Sequence, residues 1–323
     1  MLFRQLEYFV AVAREQHFAR AAQACYVSQP ALSAAIAKLE NELGVSLINR
    51  GHAFEGLTPE GERLVIWARR ILAEHDAFKS EVDAVQTGIS GTLRVGVGPT
   101  ATAPTALIVQ AFAAAHPLAR IRVSEHLRAT DLHRRVHDFE LDAAVAYLTP
   151  TDQEGLNVTP LYQERYVAVG THALIPQDTT TLTWSEASQF PLALLNTEMR
   201  VRQFIDQAFS ENGITVNPQI EAESIETLTM HVSTGHWMSI VPHTAIHTLT
   251  PTAGIIAVPL TEPEVRADVV LATSTAPSLI SLAFVREATA LGLFSLVQQR
   301  VDNLQLLGHT PEVLDTKDPE TIP

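Results

Sequence analysis

Three stretches of this 323-residue chain carry residue types that can do chemistry, two of them suited to a small anion and one to a dinucleotide. In Gly98-Pro99-Thr100-Ala101-Thr102, two hydroxyls sit where an apolar strand gives way to a helical pattern. Thr100, Ala101 and Thr102 there offer hydroxyls and unpaired backbone N–H groups to a carboxylate or another small anion. A second polar group, Asn196-Thr197 followed by Arg200 and Arg202, opens another helical stretch, and an arginine there can grip a carboxylate with two parallel hydrogen bonds. Arg128 and Thr130, after the second strand, are further candidates to line such a site. The same residues also fit a purely structural role, with Thr100 and Thr197 capping helices and the arginines solvated. The third stretch is the spacing Gly96-x-Gly98-x-x-Ala101 between strand and helix, with Glu125 ending the next strand. That arrangement can hold a dinucleotide and would suggest an NAD-dependent oxidoreductase. Pro99 and Pro104 crowd the backbone that would hug a pyrophosphate, and no catalytic constellation follows. None of the thirteen histidines falls in an H-E-x-x-H arrangement and there is no G-x-S-x-G elbow, so no enzyme, cofactor or metal is expected.

The elements that position these groups divide the chain in two. Residues 18–42, FARAAQACYVSQPALSAAIAKLENE, read as two short helices joined by a tight turn. Phe18, Ala21, Ala22 and Cys25 share one face of the first. Ser28 is an N-cap for the second, Pro30 sits in its first turn, and Leu32, Ile36, Leu39 and Leu43 form its buried stripe. Such a helix-turn-helix exposes the outer face of its second helix to a DNA major groove. From Thr58 onward, Leu64, Ala68, Ile71, His75, Phe78, Val82 and Val85 keep the 4-3 spacing of a coiled-coil seam, with Thr58 and Pro59 starting the helix and Gly88 and Gly91 ending it. The spacing fits pairing of two copies; an amphipathic helix on its own domain's core is the alternative.

Beyond this hinge strands and helices alternate, with strands at 93–97, 121–123, 141–147, 161 and 166–169, then 191–196, 238–242 and 269–273. Helices are expected at 102–115, after a Thr130 cap, at 199–212, at 224–234 and at 278–298. Such alternation predicts parallel sheets covered by helices on both faces.

Composition sets bounds and a puzzle. With 46% hydrophobic residues and no apolar run long enough for a bilayer, the sequence reads as soluble and cytoplasmic, without a membrane partner. A single cysteine excludes an intrachain disulfide. The net charge of −14 has the wrong sign for a protein gripping DNA over its whole surface. Residues 1–58 are balanced, however, with five basic and five acidic side chains, whereas residues 88–323 hold 13 basic against 25 acidic. A neutral head then needs pairing to double its phosphate contacts. Cys25 has two readings: filler of the small space between the helices, or a thiol whose oxidation would disturb the helix above it.

The head resembles the LysR-type transcriptional regulators. The resemblance rests on RAAQAC, SQPALS, Leu39-Glu40-Asn41-Glu42-Leu43-Gly44-Val45-Ser46-Leu47 and Leu57 to Gly61, in order across about the first 65 residues. It is weaker in the body, where ELDAAVAY and HVSTGHWMSIVP match, with Trp237 at a position usually held by glycine. It implies an N-terminal winged helix-turn-helix (all-α with a small β wing), a long linker helix, and a two-lobed α/β effector domain of the type II periplasmic-binding-protein kind. The implied divisions are a DNA-binding domain at 1–58, linker and hinge at 59–91, and an effector domain at 92–300. Lobe one would be 92–163 with 267–300, lobe two 164–266, and 301–323 a tail. Carried over residue by residue, Ser28, Gln29, Pro30 and Ser33 would face an interrupted palindrome in double-stranded DNA, and Lys38 and Arg50 would take phosphates. Gln29 can pair bidentately with adenine. His52, in the wing, is placed for a minor-groove contact or for solvent. Ala34 and Ala35 replace longer polar side chains, shifting weight to DNA shape. The resemblance further implies a small-molecule effector between the lobes, a dimer or tetramer, and contacts near RNA polymerase.

Overall fold

The computed structural model describes residues 1–50, 54–125, 127–176, 178–248 and 254–293; the side chains of residues 50, 80–87 and 247–248 are not described. His52 and the tail at 301–323 therefore lie outside the described residues, as do the side chains of Arg50, Val82 and Val85. The fold has two compact units: Met1–Leu161 with Val269–Leu291, and Tyr162–Asp268. The chain leaves the first unit inside one long strand and returns inside another, after Leu161 and Asp268; the family resemblance implies these crossings at 163/164 and 266/267.

The first unit begins with α1 (Phe3–Glu15), α2 (Phe18–Ala24) and α3 (Gln29–Leu43), followed by the two-stranded wing β1 (Ile48–Arg50) and β2 (Phe54–Leu57) and the long α4 (Pro59–Thr87). Phe9, Val12, Ala21, Leu32, Ile36, Leu39 and Leu47 are fully or almost fully buried between them. Leu43 departs from the expected stripe: it is 42% exposed, because the helix ends there with Gly44 in a left-handed conformation (φ +71°). Thr58 starts α4 as the sequence predicts, its hydroxyl accepting from Gly61 N–H at 2.9 Å and donating to Ser46 O at 2.6 Å. Gly61 is required here, since a Cβ would lie 2.0 Å from the Leu47 carbonyl oxygen.

The seam residues sort differently from the coiled-coil expectation. Ala68 is buried in the head's own core and Leu64 and Ile71 pack against it, so the first two turns of the seam are spent within one molecule. Trp67 and Phe78 stand exposed instead, and Phe3 stacks on His75 with ring centroids 4.0 Å apart.

Lobe one completes this unit with β3 (Gly91–Val97), α5 (Thr102–Ala115), β4 (Ala119–Ser124), α6 (Ala129–His137), β5 (Ala143–Tyr147) and the start of β6 (Leu156–Thr171). β3 pairs parallel with β4 and β5. Each residue of the Glu-Leu-Asp motif has a structural task. Glu140 meets Arg69 of α4 at 2.7 Å, Leu141 is buried, and Asp142 receives the Arg94 backbone N–H and both prongs of its guanidinium at 2.7–2.9 Å.

Lobe two contains the rest of β6, then β7 (Leu182–Thr183), α7 (Trp184–Ala187), β8 (Ala193–Leu195), α8 (Arg200–Glu211), β9 (Ile220–Ala222), α9 (Ile225–Ser233), β10 (Ser239–Pro242) and β11 (Ile255–Thr261). β12 (Arg266–Ser274) carries the chain back to pair antiparallel with β5, and α10 (Leu279–Ala290) closes lobe one. β10 and β11 flank β6 antiparallel, so the sheets are mixed rather than parallel as predicted. Trp184, fully buried, meets Phe209 edge-to-face at 5.2 Å.

Candidate functional site

α3 is amphipathic around its N-terminus. Ser28 caps it, its hydroxyl accepting from Ala31 N–H at 3.4 Å. Leu32, Ile36 and Leu39 turn inward, while Gln29, Pro30, Ala34 and Lys38 are exposed and Ser33 and Ala35 half-buried. The exposed surface of α3 thus offers an amide fork at Gln29 and, half a turn out of phase with it, a cation at Lys38. Sequence reasoning passed over Tyr26. It sits in the turn just before the Ser28 cap, at φ +55°, with 96% of its surface exposed. Cys25 ends α2, partly buried against the head's core. Burial pushes its thiol above the ordinary value, while Arg14 pulls the other way.

The Thr100–Thr102 loop of lobe one lies at the N-terminus of α5. Thr100 and Ala101 are buried and Thr102 half-buried. Ala101 is the N-cap residue and no side chain caps the helix; Pro104 in the first turn has no N–H, and the Thr105 N–H is bonded to the Ala101 carbonyl. The glycines have a packing reason: a Cβ on Gly96 would come within 2.5 Å of Leu132 and Leu141, and one on Gly98 within 3.0 Å of Ala146. They are lined by side chains, so their spacing reports close packing and not a pyrophosphate cradle. Thr130 is not the cap of α6; Arg128 holds that position and Thr130 lies exposed one residue into the helix.

In lobe two, Arg200 opens α8 and donates to Gln203 Oε1 at 2.9 Å, and Thr197 is exposed before it. Asn196 is half-buried; its Oδ1 is buried without a hydrogen-bond partner among the described residues. Arg202 corrects the sequence expectation. Its side chain is 4% exposed and its guanidinium meets Asp206, Glu221 and the Leu195 carbonyl, each at 2.7 Å. It ties α8 to β8 and β9 and has no free fork to offer a ligand.

A buried acid escaped the sequence reading. Glu164 shares one face of β6 with Tyr162 and Tyr166, and all three are buried. Thr244 donates a short hydrogen bond to Glu164 Oε1, Tyr162 donates to the same oxygen at 3.3 Å, and Oε2 has no partner among the described residues. Burial pushes its carboxyl up to about 8, with the Thr244 hydrogen bond opposing. Only a neutral carboxyl fits such surroundings near neutral pH. Its alternation with two tyrosines was the available signal.

No described helix is long and apolar enough to cross a membrane, and no group of three or more metal-ligating side chains occurs among the described residues. Two family models match the chain: "Bacterial regulatory helix-turn-helix protein, lysR family" over residues 3–62 and "LysR substrate binding domain" over residues 86–288. The chain is 36% identical over 245 residues to an SDS degradation transcriptional activation protein of Pseudomonas sp. (strain ATCC 19151), covering 74% of this chain and 78% of that protein. It is 30% identical over 275 residues to the hydrogen peroxide-inducible genes activator of Haemophilus influenzae, covering 82% and 87%. Among solved structures, a full-length OxyR variant from Pseudomonas aeruginosa aligns at a TM-score of 0.73 with 26% identity, over 92% of this chain and 99% of that one. These relatives are regulators, not enzymes. With both family models matched in order and most of the chain aligned to regulators, the protein belongs to the LysR-type transcriptional regulators.

Proposed function

We propose that this regulator reads an interrupted palindrome with two copies of α3, and that a small organic anion held by the effector domain controls it in the cytoplasm. The observation that carries the reading is the exposed surface of α3, where Gln29, Pro30 and Lys38 reach solvent around a fully buried Leu32–Ile36–Leu39 stripe. Gln29 supplies base readout and Lys38 a phosphate contact, with Ser28 and Ser33 at the helix start; Arg50 and His52 of the wing would complete the footprint. Mobility-shift or anisotropy titrations on DNA upstream of its own gene test this. Saturable, competitor-resistant binding that weakens in Gln29→Ala supports it, and binding indifferent to sequence refutes it.

Self-association is assigned to the exposed apolar face of α4 and α1, where Phe3, Trp67 and Phe78 surround an open hollow. A dimer of dimers and contacts with RNA polymerase belong to the same reading. For the effector, the uncapped start of α5 at Thr100–Thr102 favours a carboxylate or similar anion, with Asn196, Thr197, Arg200, Arg128 and Thr130 as secondary lining residues. A thermal-shift screen of small carboxylates, aromatic acids and oxidants checks the class.

Oxidation offers a second reading, prompted by the peroxide-inducible activators among the relatives. Here it would fall on Cys25, the single cysteine of the chain. A thiol held above its ordinary pKa by burial is a slow nucleophile, which favours the packing role. DNA binding in Cys25→Ser that stays as peroxide-sensitive as the parent would remove the oxidation reading.

A further inference from the structure

The N-cap of α2 is a histidine, and it holds the helix in a way that only a neutral ring can. Gln16 and His17 alone connect α1 to α2, and the seven residues of α2 are too few to stay helical without capping and packing. His17 Nδ1 accepts from the Ala19 N–H at 3.1 Å and from the Arg20 N–H at 3.4 Å, while its carbonyl accepts from the Ala21 N–H at 2.9 Å. Both ring donors are backbone N–H groups, so Nδ1 carries the lone pair and the neutral ring keeps its proton on Nε2. The side-chain oxygens of serine, threonine, aspartate and asparagine, which commonly cap helices, accept throughout the range around neutral pH. An imidazole stops accepting once Nδ1 is protonated.

The surroundings reinforce this dependence. The first turn of α2 holds no acidic residue and does hold Arg20, so a protonated ring puts a second cation at the positive end of the helix. At the end of α1 the Glu15 carboxylate is paired with Arg14 at 2.9 Å, and the Glu15 carbonyl accepts from the Arg20 guanidinium at 2.7 Å. On the wing side Phe18 meets Phe54 edge-to-face at 6.5 Å, with Glu55 next along β2. Among the described residues no carboxylate pairs with His17 to favour its charged form. α2 in turn supports α3. Ala21 and Ala22 are buried in the head's core, and the Val27 N–H bonds to the Ala22 carbonyl at 3.0 Å in the turn that leads to the Ser28 cap.

We propose that His17 is a proton-sensitive positioning residue for DNA binding. Neutral, it holds α2 against α3; protonated at Nδ1, it gives up both ring hydrogen bonds, releases the first turn of α2 and weakens the head's grip on DNA. The grip is therefore complete above the range in which an imidazole titrates and is lost as pH falls through it.

Hydrogen exchange of the α2 peptide in the full-length protein, at about pH 8 and about pH 5.5 and corrected for the intrinsic effect of pH, tests this in parent, His17→Asn and His17→Ala. The asparagine variant supplies an acceptor that does not titrate. Parent and His17→Asn should match at the higher pH. At the lower pH the parent should be about three- to tenfold less protected than His17→Asn and should meet His17→Ala, which is poorly protected at both. Anisotropy on duplex DNA from upstream of its own gene should rank the three proteins in the same order, and the comparison with His17→Asn cancels the other histidines, His52 among them. Parent and His17→Asn running in parallel across the range, or His17→Ala as protected as the parent at the higher pH, would overturn the proposal. Loss of α2 protection with no loss of DNA affinity would overturn it too. The ranking is made on one fragment, so failure of the α3 reading would be seen separately, as binding indifferent to sequence.

Discussion

Gln29 and Lys38 are both exposed on α3 but should fail differently. Gln29→Ala should cost about 1–3 kcal/mol on a cognate site and relax preference at one base pair per half-site. Lys38→Ala should weaken all sequences alike and reduce the salt slope by about 1 per head, as anisotropy across a salt series would read. Glu164 gives a prediction about pH. Folded, it stays protonated to about 8, whereas its ordinary value is 4.5. Its contribution to stability is therefore complete below pH about 4.5 and is lost as pH rises through that window, at up to about 1.4 kcal/mol per unit. Glu164→Gln cannot ionise, so its thermal midpoint should fall less than the parent's between pH 5 and 8. Parallel profiles by calorimetry would contradict the burial account. The exposure of Gln29, Pro30 and Lys38 was legible in the sequence because a helix's exposed positions follow from its buried stripe. Arg202 was not: its partner Glu221 lies 19 residues away on β9, and only the folded lobe brings them together.

At the scale of elements, the head was readable because its helices are short, capped and amphipathic, and local signals decide them. Gly61 is the most exacting of these signals. Gly61→Ala must displace the Leu47 backbone, not a flexible side chain, so it should destabilise the head by about 1–3 kcal/mol or more and weaken DNA binding with it. Thermal unfolding of the variant checks this; an unchanged midpoint would show that the wing and α4 can slide apart without cost. α4 was legible only in part. A 4-3 spacing marks an apolar face and does not say what covers it. Leu64, Ala68 and Ile71 are covered by α1 and the rest of the head's core, and Trp67 and Phe78 are left outward. In lobe two, β11 (IIAVPLT) went unread because a proline interrupts a short apolar run, which lowers its standing as a strand. It pairs with β6 over five residues regardless.

Across the whole molecule, charge and association belong together. A neutral head on an acidic body binds DNA through few phosphates per copy, so affinity should depend steeply on pairing. Trp67→Glu or Phe78→Glu, on the exposed face of α4, should lower the apparent mass in light scattering and weaken DNA binding by tenfold or more, while the melting of the lobes stays near that of the parent. Unchanged mass with unchanged DNA affinity would move the association surface elsewhere. The two-lobed body was readable as a class from βα alternation, but its mixed sheets were not, since strand direction depends on partners far along the chain.

The central claim is that paired α3 helices read a specific DNA sequence. DNase I footprinting of the full-length protein on DNA upstream of its own gene tests it most directly. Two protected half-sites about one or two helical turns apart are predicted, with protection lost in Gln29→Ala at protein concentrations that saturate the parent. Uniform protection along the fragment, equal in parent and variant, would contradict the account.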